Sequence, residues 1–252
     1  MKRVLITGMS GLIGGVLRRH LEELGDYELS ALNRRPVEGG VKCTQADIAN
    51  LDAIRPAFEG IDVVAHLAAN LDLDSWKSQL SGNVIGTYNV YEASRLAGVK
   101  RVVFASSGAT IRGFEFIPPY DAIAAGRYDE VPKHFPLITH EMVWPNDIYG
   151  SSKIWGESLG RHFSVNYDLS ILCVRIGVVP KDNRPKEPRD FASYLSHRDV
   201  AQMFRRCIDA PDHLLYDVFM ATSANKWGYR DLEHPRNILG YQPQDTADTF
   251  RQ

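Results

Sequence analysis

"RVLITGMSGLIGGVLRRHLEEL", residues 3 to 24, decides the fold. Its first five residues form a short, nearly continuous apolar run, the pattern of a strand buried on both faces. From Leu12 onward the period changes: Leu12, Val16, Leu17, Leu21 and Leu24 make one helical stripe. Gly8, Gly11 and Gly14 lie in the turn that joins them. Glycines there let the backbone turn tightly and approach a pyrophosphate, met by amide N–H groups and the positive end of the helix dipole. Set between a first strand and a first helix, this Gly-x-x-Gly-x-x-Gly spacing predicts a dinucleotide site, although it is one residue looser than the common fingerprint. The basic start followed by apolar residues has a superficial leader look. Glycines and the charges of Arg18 and Arg19 interrupt it, so the folded protein is expected to begin at residue 1.

The same strand signal recurs at 27–32, 41–46, 62–67, 101–106, 169–174 and 216–221, with helical patterns between most of the runs. Strand and helix in alternation predict a parallel sheet covered on both faces. The 252-residue chain has no linker-like tract, which predicts a single domain. Two stretches break the alternation: residues 112–147, rich in proline and aromatics and expected to be an ordered lid, and residues 179–190. A formal net charge of −2 with no basic stripe argues against nucleic acid, and no long apolar span announces a membrane. Cys43, Cys173 and Cys207 are far apart, odd in number and without metal-ligand spacing. They are expected to be reduced, in a cytoplasmic protein that holds no metal.

The end of the second strand bears on the choice of cofactor. A carboxylate there holds the ribose hydroxyls of NAD, whereas arginine serves the 2′-phosphate of NADP. This chain has Asn33, Arg34 and Arg35, which predicts NADP as the preferred cofactor with NAD possible; the alternative is a pair of solvated arginines. Further along, "DIYGSSKIWGE" (147–157) sets Tyr149 and Lys153 four apart, on one face of a helix. A phenol beside an ammonium suits proton transfer, and the positive charge is expected to draw the phenol's pKa down toward working pH.

These elements occur in order with "ADI" (46–48), "HLAA" (66–69), Asn83 in "NVIGTYNVYEA" and "FASS" (104–107). With them the whole chain resembles an extended short-chain dehydrogenase/reductase, the NAD-dependent epimerase/dehydratase family. "RIGVVP" (175–180), "SHRDVAQMFRRCIDAP" (196–211) and the 223–245 segment are most similar to its uronate dehydrogenase branch. The resemblance implies an α/β Rossmann-type doubly wound parallel sheet. Residues 1–175 would be the dinucleotide-binding core and 176–252 a small substrate-binding portion interleaved with it. Tyr149 would be the acid/base, Ser107 would orient the reacting oxygen, and Lys153 would bond the nicotinamide ribose, so that the phenol is tuned by two positive groups. Asp47 and Ile48 would flank the adenine, and Leu67, Ala68 and Ala69 would line the cofactor cleft with Leu12, Ile13, Asn83 and Ile176. Asn70, Ser107, Gly108 and Arg175 would face the substrate, Arg175 through a sugar carboxylate. A homodimer through the helices of 75–97 and 149–167 is implied as well.

Plainer readings stand beside these. Ser107 can be a strand-end cap, with Ser106 its substitute if the register shifts, Arg175 an interior arginine paired with a structural carboxylate, and His66 structural. The chain also departs from the uronate branch, which typically carries Asn-His after the serine pair and a serine in the loop after the fourth strand. Here those positions are Gly108, Ala109 and Leu71, and the 112–147 loop is longer. Phe114, Phe116, Tyr120 and Trp144 in that loop predict a less polar or larger substrate. The expected activity is hydride transfer between a nicotinamide and a hydroxyl/carbonyl of a sugar acid, sugar or related small molecule. The alternatives are a nucleotide-sugar epimerase or dehydratase, disfavoured by the short tail, and a non-catalytic NADP-sensing protein.

Overall fold

A computed structural model describes residues 1–72 and 75–251. The apolar runs become seven parallel strands: β1 (Lys2–Thr7), β2 (Tyr27–Asn33), β3 (Lys42–Gln45), β4 (Val63–His66), β5 (Arg101–Ser107), β6 (Ser170–Ile176) and β7 (Tyr216–Ala221), in the order β3-β2-β1-β4-β5-β6-β7. Among the described residues the helices are α1 (Leu12–Leu24), α2 (Leu51–Ile54), α3 (Trp76–Gln79), α4 (Gly86–Leu96), α5 (Tyr120–Ala125), α6 (Ile148–Tyr167), α7 (Asp190–Ser193), α8 (His197–Ile208) and α9 (Glu233–Leu239). None is long and apolar enough to cross a membrane.

Alternation along each strand divides the core in two. Val4, Ile6, Val103, Ala105, Leu172 and Val174 face α1 and α8, while Leu5, Val102, Phe104, Ile171 and Cys173 face α4 and α6. Burial on both sides explains why these strands read as continuous apolar runs. The strand order reverses direction between β1 and β4, and at such a switch point the loops leaving the C-terminal strand ends diverge to form a crevice. Residues 176–252 add β7 to this same sheet as well as the loops beyond it.

The 112–147 segment is ordered by its own small core. Ile111, Tyr120, Ile123 and Ile138 pack with Ala192, Met220 and Tyr229, and Phe114 and Phe135 pack against that cluster. A parallel bridge pairs Ile138 with Arg230, tying the segment to the chain that follows β7. Several of its aromatics are engaged in packing, the ring of Phe114 meeting those of Tyr120 at 6.2 Å and Trp144 at 5.2 Å, while Phe116 is 66% exposed.

Candidate active site

The crevice at the switch point is a cleft of about 730 Å³. Gly8, Gly11, Leu12, Ile13 and Gly14 form its floor; Asn33, Arg34, Arg35, Asp47 and Ile48 one end; Leu67, Ala68, Ala69 and Asn70 one wall; and Ser107, Tyr149, Lys153 and Ile176 the other end. The glycines have structural reasons. Gly8 has φ of +73°, and a Cβ there would stand 2.9 Å from the Ala68 backbone. A Cβ on Gly14 would come within 2.5 Å of the Gly8 carbonyl oxygen. The turn is thus built as a bare backbone cradle. At the β2 end, both polar atoms of the Asn33 side chain are buried without a partner. Buried polar groups are normally bonded, so this orphan beside a cleft is the mark of a ligand-facing group. A dinucleotide would fit this lining, with the α1 N-terminus available to its pyrophosphate and Asn33 to its adenosine ribose.

At the far end α6 sets three ionisable side chains on one face. Its N-cap, Asp147, accepts from the Gly150 N–H at 2.6 Å, and Tyr149, Lys153 and Glu157 follow at i, i+4, i+8. Lys153 is 3% exposed, and its Nζ donates to the Ala105 carbonyl at 2.8 Å. Burial pushes its pKa down to about 8, against an upward pull from Glu157. The Tyr149 phenol is displaced upward by burial, while a hydrogen bond with Ser107 draws it down. This corrects the expectation that the lysine lowers it. Lys153 Nζ lies 5.5 Å from the Tyr149 ring centroid, and Ser107 supplies the only downward influence.

The serine pair divides its labour. Ser106 donates to the buried Glu157 carboxylate at 2.5 Å. Ser107 lines the cleft and caps the following turn, accepting from the Ala109 N–H at 3.1 Å, so capping and active-site placement coexist. Two of the expected site residues are placed away from the clefts. Arg175 is 2% exposed and lines neither this cleft nor its neighbour. Its Nε and NH2 donate to the two oxygens of Glu157 at 2.9 and 2.8 Å, and NH1 donates to the Met142 carbonyl. Each of its three nitrogens donates to a protein acceptor, so it braces α6 against β6. Asn83 is also outside the cleft. It accepts from the Asn70 N–H at 2.7 Å and donates to the Asn70 carbonyl at 2.9 Å, fixing the loop after β4 from a π-helical turn at Leu80–Ile85. His66 is structural as expected: it is 1% exposed, bonded to Thr7 Oγ1 at 2.8 Å, and held neutral by burial, with its pKa pushed down to about 3.

A second cleft of about 280 Å³ adjoins the first, sharing Leu71, Ser107, Tyr149, Ile176 and Gly177. Gly108 lines it as expected, but the rest of its chemistry went unread in the sequence: Arg112, Arg189 and Arg230 lie in its wall. None of Phe114, Phe116, Tyr120 or Trp144 does, which removes the basis for a less polar substrate. Bridging of Ile138 to Arg230 brings the 229–232 segment here, a long-range pairing with no local signature. The three cysteines are free. Among the described residues His140, Asp217 and His234 gather with ligand atoms within 4.8 Å of one another, a grouping that sequence spacing did not show. His234 Nε2 already bonds Asp217 at 2.9 Å, the two imidazoles stack at 3.9 Å, and none of the three lines either cleft.

The family model described as "NAD dependent epimerase/dehydratase family" matches residues 4–207. An NAD-dependent glucose-6-phosphate dehydrogenase of Haloferax volcanii is 33% identical over 98% of this chain and 95% of its own. A uronate dehydrogenase of Agrobacterium fabrum is 32% identical over 100% of this chain and 88% of its own. Among solved structures, uronate dehydrogenase from Agrobacterium tumefaciens superposes with a TM-score of 0.83 at 30% identity, covering 100% of this chain and 87% of that one. A mutant of the Agrobacterium tumefaciens enzyme complexed with NAD gives the same TM-score of 0.83.

Proposed function

The chain belongs to the NAD dependent epimerase/dehydratase family, and from that premise we propose that it is an NAD(P)-dependent dehydrogenase that oxidises a hydroxyl of a sugar or sugar acid, and runs in reverse as a carbonyl reductase. The observation that carries this reading is the placement of Ser107 and Tyr149 in the wall common to both clefts, where a cofactor in the larger and a substrate in the smaller meet. Nicotinamide, when bound, supplies the hydride acceptor. Ser107 holds the substrate oxygen by a hydrogen bond, and Tyr149, as the phenolate that the positive charges of Lys153 and a bound oxidised nicotinamide would favour, takes the hydroxyl proton and becomes the phenol as the carbonyl forms. Lys153, dry and held at the Ala105 carbonyl, keeps a positive charge beside the phenol at neutral pH. Asn70 lines the larger cleft, its backbone set by Asn83. A smaller cleft of this volume suits a monosaccharide better than a nucleotide sugar, which favours net oxidation over internal epimerisation.

NADP is the preferred cofactor in this reading. Arg34 and Arg35 line the adenosine end, where Asn33 replaces a ribose-binding acid. The protein is taken to be a cytoplasmic homodimer. Supporting the dimer, Tyr88 and Leu96 on α4 and Trp155 and Tyr167 on α6 are each more than 40% exposed, an apolar face on two adjacent helices. Light scattering that gives a monomer mass would overturn the dimer. The function itself is tested by following reduced-nicotinamide absorbance with NADP or NAD and a panel of aldoses, uronates and simple alcohols. Net reduction with a sugar supports the reading; nicotinamide that copurifies and never turns over net substrate refutes it.

A further inference from the structure

The smaller cleft carries more cation than the protein itself neutralises. Arg230 is 4% exposed; its NH1 donates to Ser193 Oγ at 3.0 Å, its Nε is buried with no partner, and no carboxylate bonds it. Arg112, in the same wall, has no hydrogen-bond or ion-pair partner among the described residues. Arg189 is partly committed, its Nε on Glu115 at 2.6 Å, and the other Glu115 oxygen accepts from Tyr229. Among the described residues Asp147 is the one acid in the wall, and its Oδ1 is held by the α6 N-terminus. A guanidinium taken out of water without an anion costs several kcal/mol, which a ligand that brings the missing charge offsets.

Gly108 makes this arrangement possible. A Cβ on Gly108 would lie 2.9 Å from Arg230 NH2, so the guanidinium rests directly on the residue after Ser107. The arginine comes from 122 positions away in the sequence.

We propose that Arg230 and Arg112 bind the phosphate group of a sugar phosphate, which makes the substrate of this dehydrogenase a phosphorylated sugar. The inference rests on the proposed function and narrows its substrate class. Among the described residues neither guanidinium is hydrogen-bonded to a carboxylate, and Glu115, whose charge reaches Arg230, is itself bonded to Arg189 and Tyr229; the two match a dianion, and each offers a planar fork that suits phosphate oxygens. A cleft of about 280 Å³ accommodates a small polar molecule of this kind.

The test compares kcat/KM for hexose phosphates, hexuronates and the parent hexoses in wild type, Arg112→Gln and Arg230→Lys, with binding of inorganic phosphate measured by calorimetry on the same proteins. Expected is a preference of about 100-fold for a hexose phosphate over its parent hexose, the worth of one or two charge-assisted hydrogen bonds. That ratio is expected to fall at least about tenfold in Arg112→Gln, together with phosphate affinity. Arg230→Lys keeps the charge and loses the fork, so it tests the residue even if a neutral replacement fails to fold. Turnover of hexuronates or neutral sugars in preference to phosphates, or phosphate binding equal in all three proteins, overturns this inference and leaves the dehydrogenase reading intact. No nicotinamide reduction by any sugar overturns both.

Discussion

Replacing Arg175 by methionine separates a bracing residue from a substrate-reading one. The change leaves the Glu157 carboxylate, whose side chain is 6% exposed, with Ser106 as its remaining hydrogen-bond donor. It also removes the donor that holds the Met142 carbonyl at 2.8 Å. Breaking a buried pair from one side costs roughly 3–5 kcal/mol, because the surviving charge is stranded. For a domain of this size each kcal/mol corresponds to about 2–4 °C, so Tm is expected to fall by roughly 6–20 °C. In the double change Arg175→Met with Glu157→Met no charge is stranded, and most of the loss is expected to return. Thermal melts followed by circular dichroism measure both variants, and steady-state kinetics at a permissive temperature gives KM. The account predicts a large stability loss in the single variant, recovery in the double, and a substrate KM close to wild type in each. A single variant of wild-type stability with a KM raised tenfold or more would refute the reasoning and return Arg175 to the substrate.

Other outcomes follow from buried ionisable groups and from the adenosine end. Lys153 titrates near 8 in the fold against a usual value of 10.5, so the unfolded chain binds the extra proton between these pH values and stability rises with pH across that window. Lys153→Met is therefore expected to melt higher than wild type at pH 7 in the absence of cofactor while losing turnover, as calorimetry and kinetics would record. His66, buried neutral with its pKa near 3 against 6.5, works the same way at lower pH: stability is expected to fall as pH drops from about 6.5 toward 3, and less steeply in His66→Gln. Asn33→Asp is expected to weaken NADPH binding at least about tenfold and to strengthen NADH binding, read by fluorescence titration, since a carboxylate repels the 2′-phosphate and holds the free hydroxyl.

The fold was legible because the sheet is buried on both sides. The interior strands had to be short apolar runs, and all seven runs read from the sequence became strands, including the exposed edge strand β3, whose residues are largely polar. The glycine turn was legible for a related reason: backbone that must lie against Ala68 and against itself tolerates no side chain at Gly8 or Gly14. Tyr149 and Lys153 sit on one helix, so their spacing alone placed them together. Residues whose role depends on distant partners were not legible. Arg175 occupies a strand end that opens toward the active site, but Glu157, eighteen positions earlier on α6, captures it. Asn83 stands in the expected motif yet acts on the backbone of Asn70. Arg112 and Arg230 carry no periodicity or motif, and a bridge formed by two irregular segments creates their cleft. The aromatics of 112–147 read as a substrate wall because composition cannot say which side of a loop faces inward.

The most direct test of the central claim is the rate of nicotinamide reduction by Tyr149→Phe, measured beside its cofactor affinity. The change removes one hydroxyl and keeps the ring that closes the cleft. The account predicts that kcat/KM falls by about 10²–10⁴, the usual worth of a positioned acid/base, while the cofactor dissociation constant stays within about twofold of wild type. A variant that binds cofactor normally and reduces it at the wild-type rate would contradict the assignment of Tyr149 as the group that takes the proton.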